Sequence, residues 1–342
     1  MAYVHTEGGF MSQRVAPTGR RQRLGLGLML VATAVAVAVG APGAQSQGPA
    51  AKAPAGAAIQ KKAAIPPAPK LDLNNPDDAV KAMRKFQASL EDGKPVVFWW
   101  QGNIYSRIPG ERDRLLFTYQ GMNVRASATV TEAGRGYGYR QVSREVLIYM
   151  DPKTGQVLRT WKNPWTGKEN EVIHVANDPV NSRPMFAQGP TGPFKFPGFF
   201  KNGQGFIAME IPLFYTNPLA GDYQQYVGGD YQAMEIFNFY FPEEQLLDAK
   251  PEMPDVAVSW TRVSGWLPWM EMGSRVGTMI YNGVGRRLNS WDELPDVLRA
   301  EIEANHPAFK TPPPLDDARP NETSWTYFKK VIDKKKAQAP QK

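Results

Sequence analysis

Cysteine is absent from this sequence and histidine is scarce, with only His5, His174 and His306. Without cysteine the chain can form neither disulfides nor thiolate metal sites. Two histidines beyond residue 46 are too few for a multi-histidine site, and no carboxylate spacing around them indicates a metal. The glycine fingerprint of dinucleotide-binding folds, the phosphate-binding loop and the Gly-x-Ser-x-Gly elbow of hydrolases are also missing. We therefore expect no metal and no cofactor.

Excess charge of either sign is small. The formal net charge is +7, and residues 1–46 contribute four arginines and one glutamate to it. The rest of the chain holds 36 basic and 32 acidic side chains, with a lysine run at Lys334–Lys336. No nucleic-acid-binding motif accompanies this modest excess, so we expect no nucleic-acid partner. Hydrophobic residues at 42% and aromatic residues at 11% are sufficient for a large core.

The N-terminal residues have the pattern of an export signal. Basic residues around Arg20-Arg21 precede an apolar run over 24–39 and small residues over 41–46, and the run is too short for a stable membrane span. Met11 is an alternative start, and the paired arginines are compatible with a twin-arginine signal. We expect residues 1–46 to be cleaved, which leaves a periplasmic or secreted protein that does not span a membrane. An uncleaved membrane anchor is the alternative.

Helical signals stand at both ends of the remaining chain. Asn75 suits an N-cap, and Pro76 suits the first turn of the helix that follows it. Near the C-terminus, Ser290–Glu293 fits a capping box in front of an apolar stripe of helical period. A last short helix is predicted over 324–332.

The stretch from Glu145 to Asn181 is typical of an antiparallel meander. Its two turns, Asp151–Gly155 and Asn163–Gly167, place Pro where φ is fixed and Gly where a left-handed residue is needed. The β-branched and aromatic residues beside these turns predict strands over 146–149, 157–161 and 172–175. Alternation with a period of two predicts further strands over 96–105, 115–119, 123–131, 140–150, 205–215, 231–240, 256–264 and 278–283. Two of the intervening turns are predicted at Pro109-Gly110 and Gln120-Gly121.

This order of elements predicts a mainly β fold. About ten antiparallel strands favour one domain over residues 71–333, built as a large β-barrel or a strongly curved sheet with flanking N- and C-terminal helices. A β-sandwich is the alternative. The Ala- and Pro-rich residues 47–70 predict a disordered spacer, and residues 334–342 predict a basic tail. The Pro- and Gly-rich stretch 183–204 is a candidate lid over a cavity.

The best candidate for a catalytic group is His174, at the end of the meander. If its strand face borders a cavity, His174 can act as acid or base. We assign Asp178 as its catalytic partner, and Asn177 and Asn181 as residues that orient the ligand. Alternatively, His174 is a satisfied polar residue on a sheet, and the Asn-Asp-Pro sequence after it only begins a loop.

Charged side chains supply a second set of candidates. Arg140 and Arg144 share one strand face and can grip a carboxylate or phosphate. Pairing with Asp or Glu from a neighbouring strand is the alternative. Glu210 and Glu235 occupy matching positions in the similar stretches MEIPLFY and MEIFNFY, which allows an inward-facing carboxylate pair.

Aromatic residues are dense around 99–105 and 260–273, which offers walls for an apolar or aromatic ligand. The predicted ligand-binding residues in these stretches are Trp99, Trp100, Trp260, Arg262, Trp266, Trp269 and Glu271. Aromatic side chains also form plain hydrophobic cores, and that is the alternative.

Three segments resemble a known bacterial family, the one catalogued as domain of unknown function 1838. They are FWWQGNIYSRIPGE at 98–111, the stretch 144–181, and WTRVSGWLPWMEMG at 260–273. The resemblance covers nearly all of residues 71–318. It implies an exported bacterial protein of unassigned activity, and it carries over no site residues.

From these features we expect an exported protein that binds an apolar or aromatic small molecule. The alternative is a cofactor-independent lyase, isomerase or hydrolase on the same scaffold, with His174 as general base. A further alternative is a structural or interaction protein of the cell envelope.

Overall fold

A computed structural model describes residues 69–219 and 229–338. The predicted export signal over 1–46 and all but the last two residues of the predicted spacer lie outside these ranges. Inside them, no helix combines the length and the apolar character needed to cross a membrane. Lys70 already forms a β-bridge with Asp248, so regular pairing begins just before the predicted domain start at residue 71.

Four α-helices are present in the described ranges: α1 (Pro76–Gln87), α2 (Glu243–Leu247), α3 (Asp296–Asn305) and α4 (Ser324–Gln338). Helix α1 begins where the sequence predicts, because the Asn75 side chain accepts the Asp77 N–H at 2.9 Å. The predicted last helix also forms. It continues through the lysine run, which the sequence assigned to a tail.

The predicted capping box at Ser290–Glu293 is wrong. Ser290 makes no capping bond with its side chain, and Trp291–Glu293 form a single 3-10 turn. Helix α3 begins only after Pro295. A proline disfavours helical geometry in the residue before it, so Leu294 is extended and separates the turn from the helix.

The strands of the described ranges run as follows: β1 (Val96–Arg107), β2 (Arg114–Val130), β3 (Gly138–Met150), β4 (Thr160–Lys162), β5 (Glu169–Glu171), β6 (Val175–Asn177), β7 (Met185–Phe186), β8 (Gln188–Gly189), β9 (Gly192–Pro193), β10 (Phe199–Lys201), β11 (Gln204–Thr216), β12 (Asp230–Pro242), β13 (Ala257–Ser264) and β14 (Thr278–Leu288). Most long predicted strands are confirmed to within a few residues. The longest ones, β1, β2, β3, β11 and β12, follow the alternating stretches of the sequence.

Ten of these strands form one antiparallel sheet in the order β10-β11-β12-β13-β14-β1-β2-β3-β6, with β7 also pairing with β3. The prediction of a mainly β fold with a large antiparallel sheet and flanking helices is therefore confirmed. The sheet is open, since its end strands β10 and β6 do not pair with each other. The open sheet is consistent with the predicted curved sheet and with the β-sandwich alternative, and not with a closed barrel. We define its inner face as the one that carries Trp100 and its outer face as the one that carries Trp99.

The predicted turn at Gln120-Gly121 is wrong, because β2 passes straight through these residues. Gly121 pairs with Trp100 of β1, and the indole of Trp100 lies directly over it. A Cβ added to Gly121 would stand only 2.5 Å from the Trp100 ring. The glycine therefore makes room for a tryptophan in the middle of a sheet and does not form a turn.

The predicted meander is only partly correct. Both turns form, and Gly155 and Gly167 have the left-handed φ of 69° and 73°. However, Val157 contributes only an isolated bridge to Met150, and β4 and β5 pair with each other as a separate hairpin. The predicted strand 172–175 begins only at Val175 and continues as β6 to Asn177. The stretch thus leaves the main sheet after β3 and rejoins it at β6.

Helices cover the sheet on both faces. At one end of the inner face, Phe86 of α1 packs edge-on against Phe239 of β12, with 5.0 Å between ring centroids. At the opposite end of β12, Trp325 of α4 packs on Tyr231 at 4.4 Å. Helix α3 covers the outer face of β1, β2 and β3 through side chains such as Leu298. The inner face therefore lies between α1 and α4.

Candidate functional site

A cavity of about 120 Å³ lies on the inner face, next to the start of α4. Strands from both halves of the sheet contribute to its walls, so the sheet curves around it. The aromatic lining residues are Phe98, Trp100, Tyr149, Tyr215, Phe237, Phe239, Trp260, Tyr281 and Trp325. The polar lining residues are Asn123, Arg125, Glu145, Asn177, Glu235, Arg262, Glu322, Thr323 and Ser324.

The strand register explains why these residues meet. Neighbouring strands place Phe98, Asn123, Glu145 and Asn177 side by side in one row across β1, β2, β3 and β6. Because side chains alternate between faces, the residues that one strand contributes to the cavity are spaced two apart, as Phe98 and Trp100 are on β1. The result is an aromatic wall that is crossed by a row of two amides and one carboxylate, from Asn123, Asn177 and Glu145.

Glycines beside the large aromatic rings leave room for those rings on the inner face. Trp100 is flanked by Gly121 on β2 and by Gly285 on β14. Gly283 lies against Tyr119, whose hydroxyl would be 2.1 Å from an added Cβ. A side chain at any of these three positions would collide with the neighbouring ring or strand backbone.

An ion pair lies in the wall formed by β12 and β13. Arg262 donates to Glu235 Oε1 at 2.8 Å and also to the hydroxyl of Tyr231. Burial raises the pKa of Glu235 above its ordinary value, and nearby Glu145 acts in the same direction while Arg262 opposes both. Burial also raises the pKa of Tyr281, whose hydroxyl bonds with that of Tyr149. The wall thus contains one carboxyl group that holds a proton more readily than usual.

A second polar group lies across β1 and β2. The Oδ1 of Asn123 accepts the Nε–H of Arg125 at 2.7 Å, and the Arg125 guanidinium stacks over the Phe98 ring at 4.4 Å from its centroid. Asn123 and Arg125 are both buried. The guanidinium of Arg125 therefore lies flat on the Phe98 ring. Asn123, which accepts its Nε–H, belongs to the row that leads to Asn177.

The start of α4 forms the remaining wall. Thr323 caps the helix by accepting the Thr326 N–H, and the side chain of Glu322 accepts the Asp178 N–H at 3.1 Å. None of the described residues in the predicted lid 183–204 lines the cavity, so that prediction is wrong. Two phenylalanines of that stretch, Phe196 and Phe200, pack instead near α1 on Phe241. The prediction was wrong because the apolar residues of this stretch pack into a separate hydrophobic cluster near α1.

Four of the predicted ligand-binding residues line the cavity: Trp100, Asn177, Trp260 and Arg262. Of the other predicted aromatics, Trp99 points to the outer face, and Trp266 and Trp269 are buried in the core beside the cavity. Glu271 forms an ion pair with Lys168 away from the cavity. The sequence identified the correct strands, but it could not determine which of two adjacent tryptophans faces inward.

The predicted arginine pair binds the protein's own C-terminal segment. Arg140 donates to the Asp317 carbonyl at 2.6 Å, and Arg144 pairs with Asp178 at 3.0 Å. Arg144 also donates to the Ala308 carbonyl at 2.7 Å. Arg144 therefore matches the alternative, a carboxylate beside a neighbouring strand, whereas Arg140 bonds with a backbone carbonyl and matches neither prediction.

Asp178 and Asn181 also bind residues of the C-terminal segment. Asp178 accepts from Arg319 at 2.7 Å in addition to Arg144. Asn181 exchanges two bonds of 2.7 Å with the Asn321 side chain. Neither residue lines the cavity. Together they hold the segment that leads into α4.

His174 contacts the cavity wall without lining the cavity. Its Nδ1 accepts the backbone N–H of Tyr149 at 3.1 Å, and its ring stacks on that of Tyr149. Burial lowers the pKa of His174 to about 4, with Arg159 and His306 acting in the same direction and Glu301 opposing. At neutral pH the imidazole is therefore uncharged, and the acceptor nitrogen is already occupied by a backbone donor.

Of the cavity carboxylates, the sequence predicted that Glu235 faces inward, but it gave Glu235 the wrong partner and did not assign Glu145 to the site. Glu210 and Glu235 do not form an inward pair, because Glu210 pairs with Ile236 in register and points to the outer face. Glu145 of β3 is the second strand carboxylate that lines the cavity. Alternation along β3 puts Glu145 on the face opposite Arg144, but only the register between distant strands brings it near Glu235.

The fold and the cavity together define a class of protein: a β-rich domain whose curved antiparallel sheet encloses an aromatic-walled cavity with buried polar groups. The chain belongs to the family described as Protein of unknown function (DUF1838), whose model matches residues 93–332. The match runs from just before β1 into α4 and includes every strand that lines the cavity. No curated protein matches the chain.

Proposed function

We propose that the domain binds an apolar or aromatic small molecule in the cavity on its inner face. The observation that carries this proposal is the lining itself, in which stacked aromatic rings surround a few buried polar groups. Binding sites for small molecules combine these features, with apolar walls for affinity and placed polar groups for orientation.

The size of the cavity supports a ligand of about one ring. A volume of about 120 Å³ is far more than the roughly 10–15 Å³ that one water needs. It is close to the volume of about 150 Å³ at which an apolar protein cavity holds benzene.

Native mass spectrometry of the protein purified from its own cells tests this proposal. We expect a small molecule to leave with the chain under gentle conditions and to separate from it on unfolding. Trp260→Leu should abolish this retention, whereas Trp99→Leu, on the outer face, should preserve it. Recovery of a bare chain, together with failure of small aromatic probes to bind, would contradict the proposal.

A second candidate is an enzyme on the same scaffold, a lyase, isomerase or hydrolase. The observation that favours it is Glu235, a carboxyl group with a raised pKa in the cavity wall. If the bound molecule is turned over, Glu235→Gln should lose turnover while it keeps affinity. His174→Gln tests the histidine in the same assay, and equal turnover by both variants and the wild type would argue for a binder.

We also propose that residues 1–46 act as an export signal and that the mature protein is periplasmic or secreted. The apolar run that follows the paired arginines supports this proposal. Mass determination of the protein from the periplasmic and cytoplasmic fractions tests it. An intact N-terminus in the cytoplasmic fraction alone would contradict it.

A further inference from the structure

The outer face of the sheet is covered unevenly. Helix α3 packs on this face of β1, β2 and β3. On β11, β12, β13 and β14, in contrast, a block of outer residues is partly or fully exposed. We call this block the outer patch, and it consists of every second residue, both ends included, of 206–212, 234–240, 257–263 and 280–286. The ladders between the four strands run without a bulge, so the patch is continuous.

Exposed apolar side chains are concentrated on the outer patch and at its edge. Among the described residues, seven large apolar side chains are strongly exposed, and five of them lie on this face: Phe199, Phe214, Tyr240, Val263 and Val284. Phe199 stacks on Phe206 at the margin of the patch, with 5.0 Å between ring centroids. The solvent face of an antiparallel sheet is commonly polar, and a contiguous apolar patch marks an interaction site.

The size of the patch is sufficient for a protein interface. Strands about 4.8 Å apart with a two-residue rise of about 6.8 Å give each outer residue about 33 Å² of surface. Four residues on each of four strands therefore cover about 500 Å². A contact between two such patches would bury about 1,000 Å² in total, which is the size that a specific interface needs.

The two charged side chains of the patch lie at opposite corners of a square. Glu210 of β11 is in register with Asn282 of β14 through β12 and β13, and Arg286 is in register with Phe206 in the same way. Three strand spacings across and four residues along make each side of this square about 14 Å long. Glu210 has no ion-pair partner among the described residues. Arg286 forms a loose surface pair with Glu293 at 3.6 Å, so both charges are accessible from outside.

We propose that the outer patch is the interface of a homodimer with twofold symmetry. A twofold axis along the other diagonal of the square, through Phe206 and Asn282, brings Glu210 of each copy onto Arg286 of the other copy. The strands of the two copies then cross at about 90°, which is one of the two preferred arrangements of packed sheets. The apolar side chains between the charges supply the affinity. This interface is on the face opposite the cavity and does not depend on ligand binding.

Sedimentation equilibrium of the protein purified from its own cells tests the proposal, and we expect a dimer. Val284→Lys places a charge inside the interface and should raise the dissociation constant of the dimer by at least about tenfold. Val276→Lys is the matched control, because Val276 is 74% exposed and lies outside the patch. It should leave the dissociation constant unchanged. Circular dichroism confirms that both variants are folded.

Exchange of the two charges tests the symmetry of the contact. Glu210→Arg and Arg286→Glu each turn both intermolecular pairs into like-charge contacts and should raise the dissociation constant by about tenfold at low salt. The double variant restores opposite charges in both pairs and should recover the wild-type value to within about threefold.

Cross-linking locates the axis. Packed sheets are about 10 Å apart, so the two copies of residue 282 lie within reach of a short bismaleimide cross-linker. Because the chain has no cysteine, Asn282→Cys supplies a single reactive thiol and should cross-link the dimer. Lys153→Cys, in an exposed turn outside the patch, should not.

A monomer at every concentration would overturn the proposal. A dimer that Val284→Lys leaves intact would overturn it as well, because the contact would then lie on another face. Failure of the double variant to recover, or of Asn282→Cys to cross-link, would overturn the twofold arrangement. These results would leave the proposed binding function untouched, since the variants are all on the outer face or outside the cavity lining.

Discussion

Arg262 holds two side chains of the cavity wall at once, the carboxylate of Glu235 and the hydroxyl of Tyr231. The side chains of Arg262 and Glu235 are each only 15% exposed, so water solvates their charges only weakly. A buried pair of this kind contributes little net stability compared with an apolar pair, but the loss of one partner is costly. The effect of substitution at Arg262 should therefore depend on what stands at position 235.

We predict that Arg262→Met destabilises the domain by about 3–5 kcal/mol, because it leaves the Glu235 carboxyl buried without its cation. The double variant Arg262→Met with Glu235→Leu should recover most of that loss. Urea unfolding of the wild type, both single variants and the double variant at pH 8 measures both effects. If the double variant were as unstable as the single one, the cost would come from packing and not from charge.

The second prediction concerns His174 and the dependence of stability on pH. Burial lowers its pKa to about 4, below the value of about 6.5 in the unfolded chain. As the pH falls from 6.5 toward 4, the unfolded state gains this proton first, so stability is full above pH 6.5 and is lost below it. The loss from this residue should reach about 3 kcal/mol at most.

Unfolding by urea at pH 7 and at pH 4.5 tests this dependence on His174. His174→Gln cannot gain the proton, so its stability should fall less between the two pH values than that of the wild type. Carboxylates with a lowered pKa, such as Asp317, add a loss that is common to both proteins and cancels in the difference. An equal fall in both proteins would assign the acid sensitivity entirely to such carboxylates.

At the scale of the strand, glycine determines how rings fit on the inner face. We predict that Gly121→Ala destabilises the fold by about 1–3 kcal/mol and weakens ligand binding, because the new Cβ displaces Trp100 toward the cavity. Gly229→Ala serves as the control, since an added Cβ there meets nothing within 4 Å. Thermal unfolding and probe affinity are the measurements. An unchanged affinity in Gly121→Ala would place the Trp100 ring outside the binding site.

The strands were predictable where their own sequence decides them. Alternation located β11, β12 and β13 almost to the residue, because one face of each is buried or half-buried along its length. The turns at Asp151–Gly155 and Asn163–Gly167 were predictable for the same reason, since their geometry requires local residue types. Gly121 was misread because a glycine that accommodates a ring from the next strand cannot be told from a turn glycine by sequence alone.

The cavity was less predictable than the strands that form it. Trp100, Trp260 and Arg262 were predicted from the density of aromatic residues, and Asn177 from its position beside His174. Glu145 and Glu235, in contrast, meet only through pairing across six strands. Register between residues so far apart leaves no local trace in the sequence. The His174 cluster attracted attention for its polar residues, and most of their hydrogen bonds go to backbone or to the C-terminal segment.

At the scale of the whole domain, that cluster connects the sheet to the helix that closes the cavity. Asp178 pairs with Arg319, and Asn181 pairs with Asn321, so residues 319–321 are fixed to the end of β6. Glu322 follows directly, and α4 then begins with Ser324 in the cavity wall. The polar stretch after His174 therefore contributes to the site indirectly, by positioning one of its walls.

We predict that Asp178→Asn loosens this connection, because it removes two ion pairs while it keeps the shape of the side chain. Amide hydrogen exchange in α4 should accelerate by about tenfold, since the segment that leads into α4 loses a charge-assisted bond at Arg319. Exchange in the centre of β1 and β2 should stay as in the wild type, which distinguishes local opening from global destabilisation. Glu303→Gln, which removes a surface pair with Lys310, is the control and should change neither region. If α4 exchanged at the wild-type rate in Asp178→Asn, packing of Trp325 and Phe328 alone would hold the helix on the cavity.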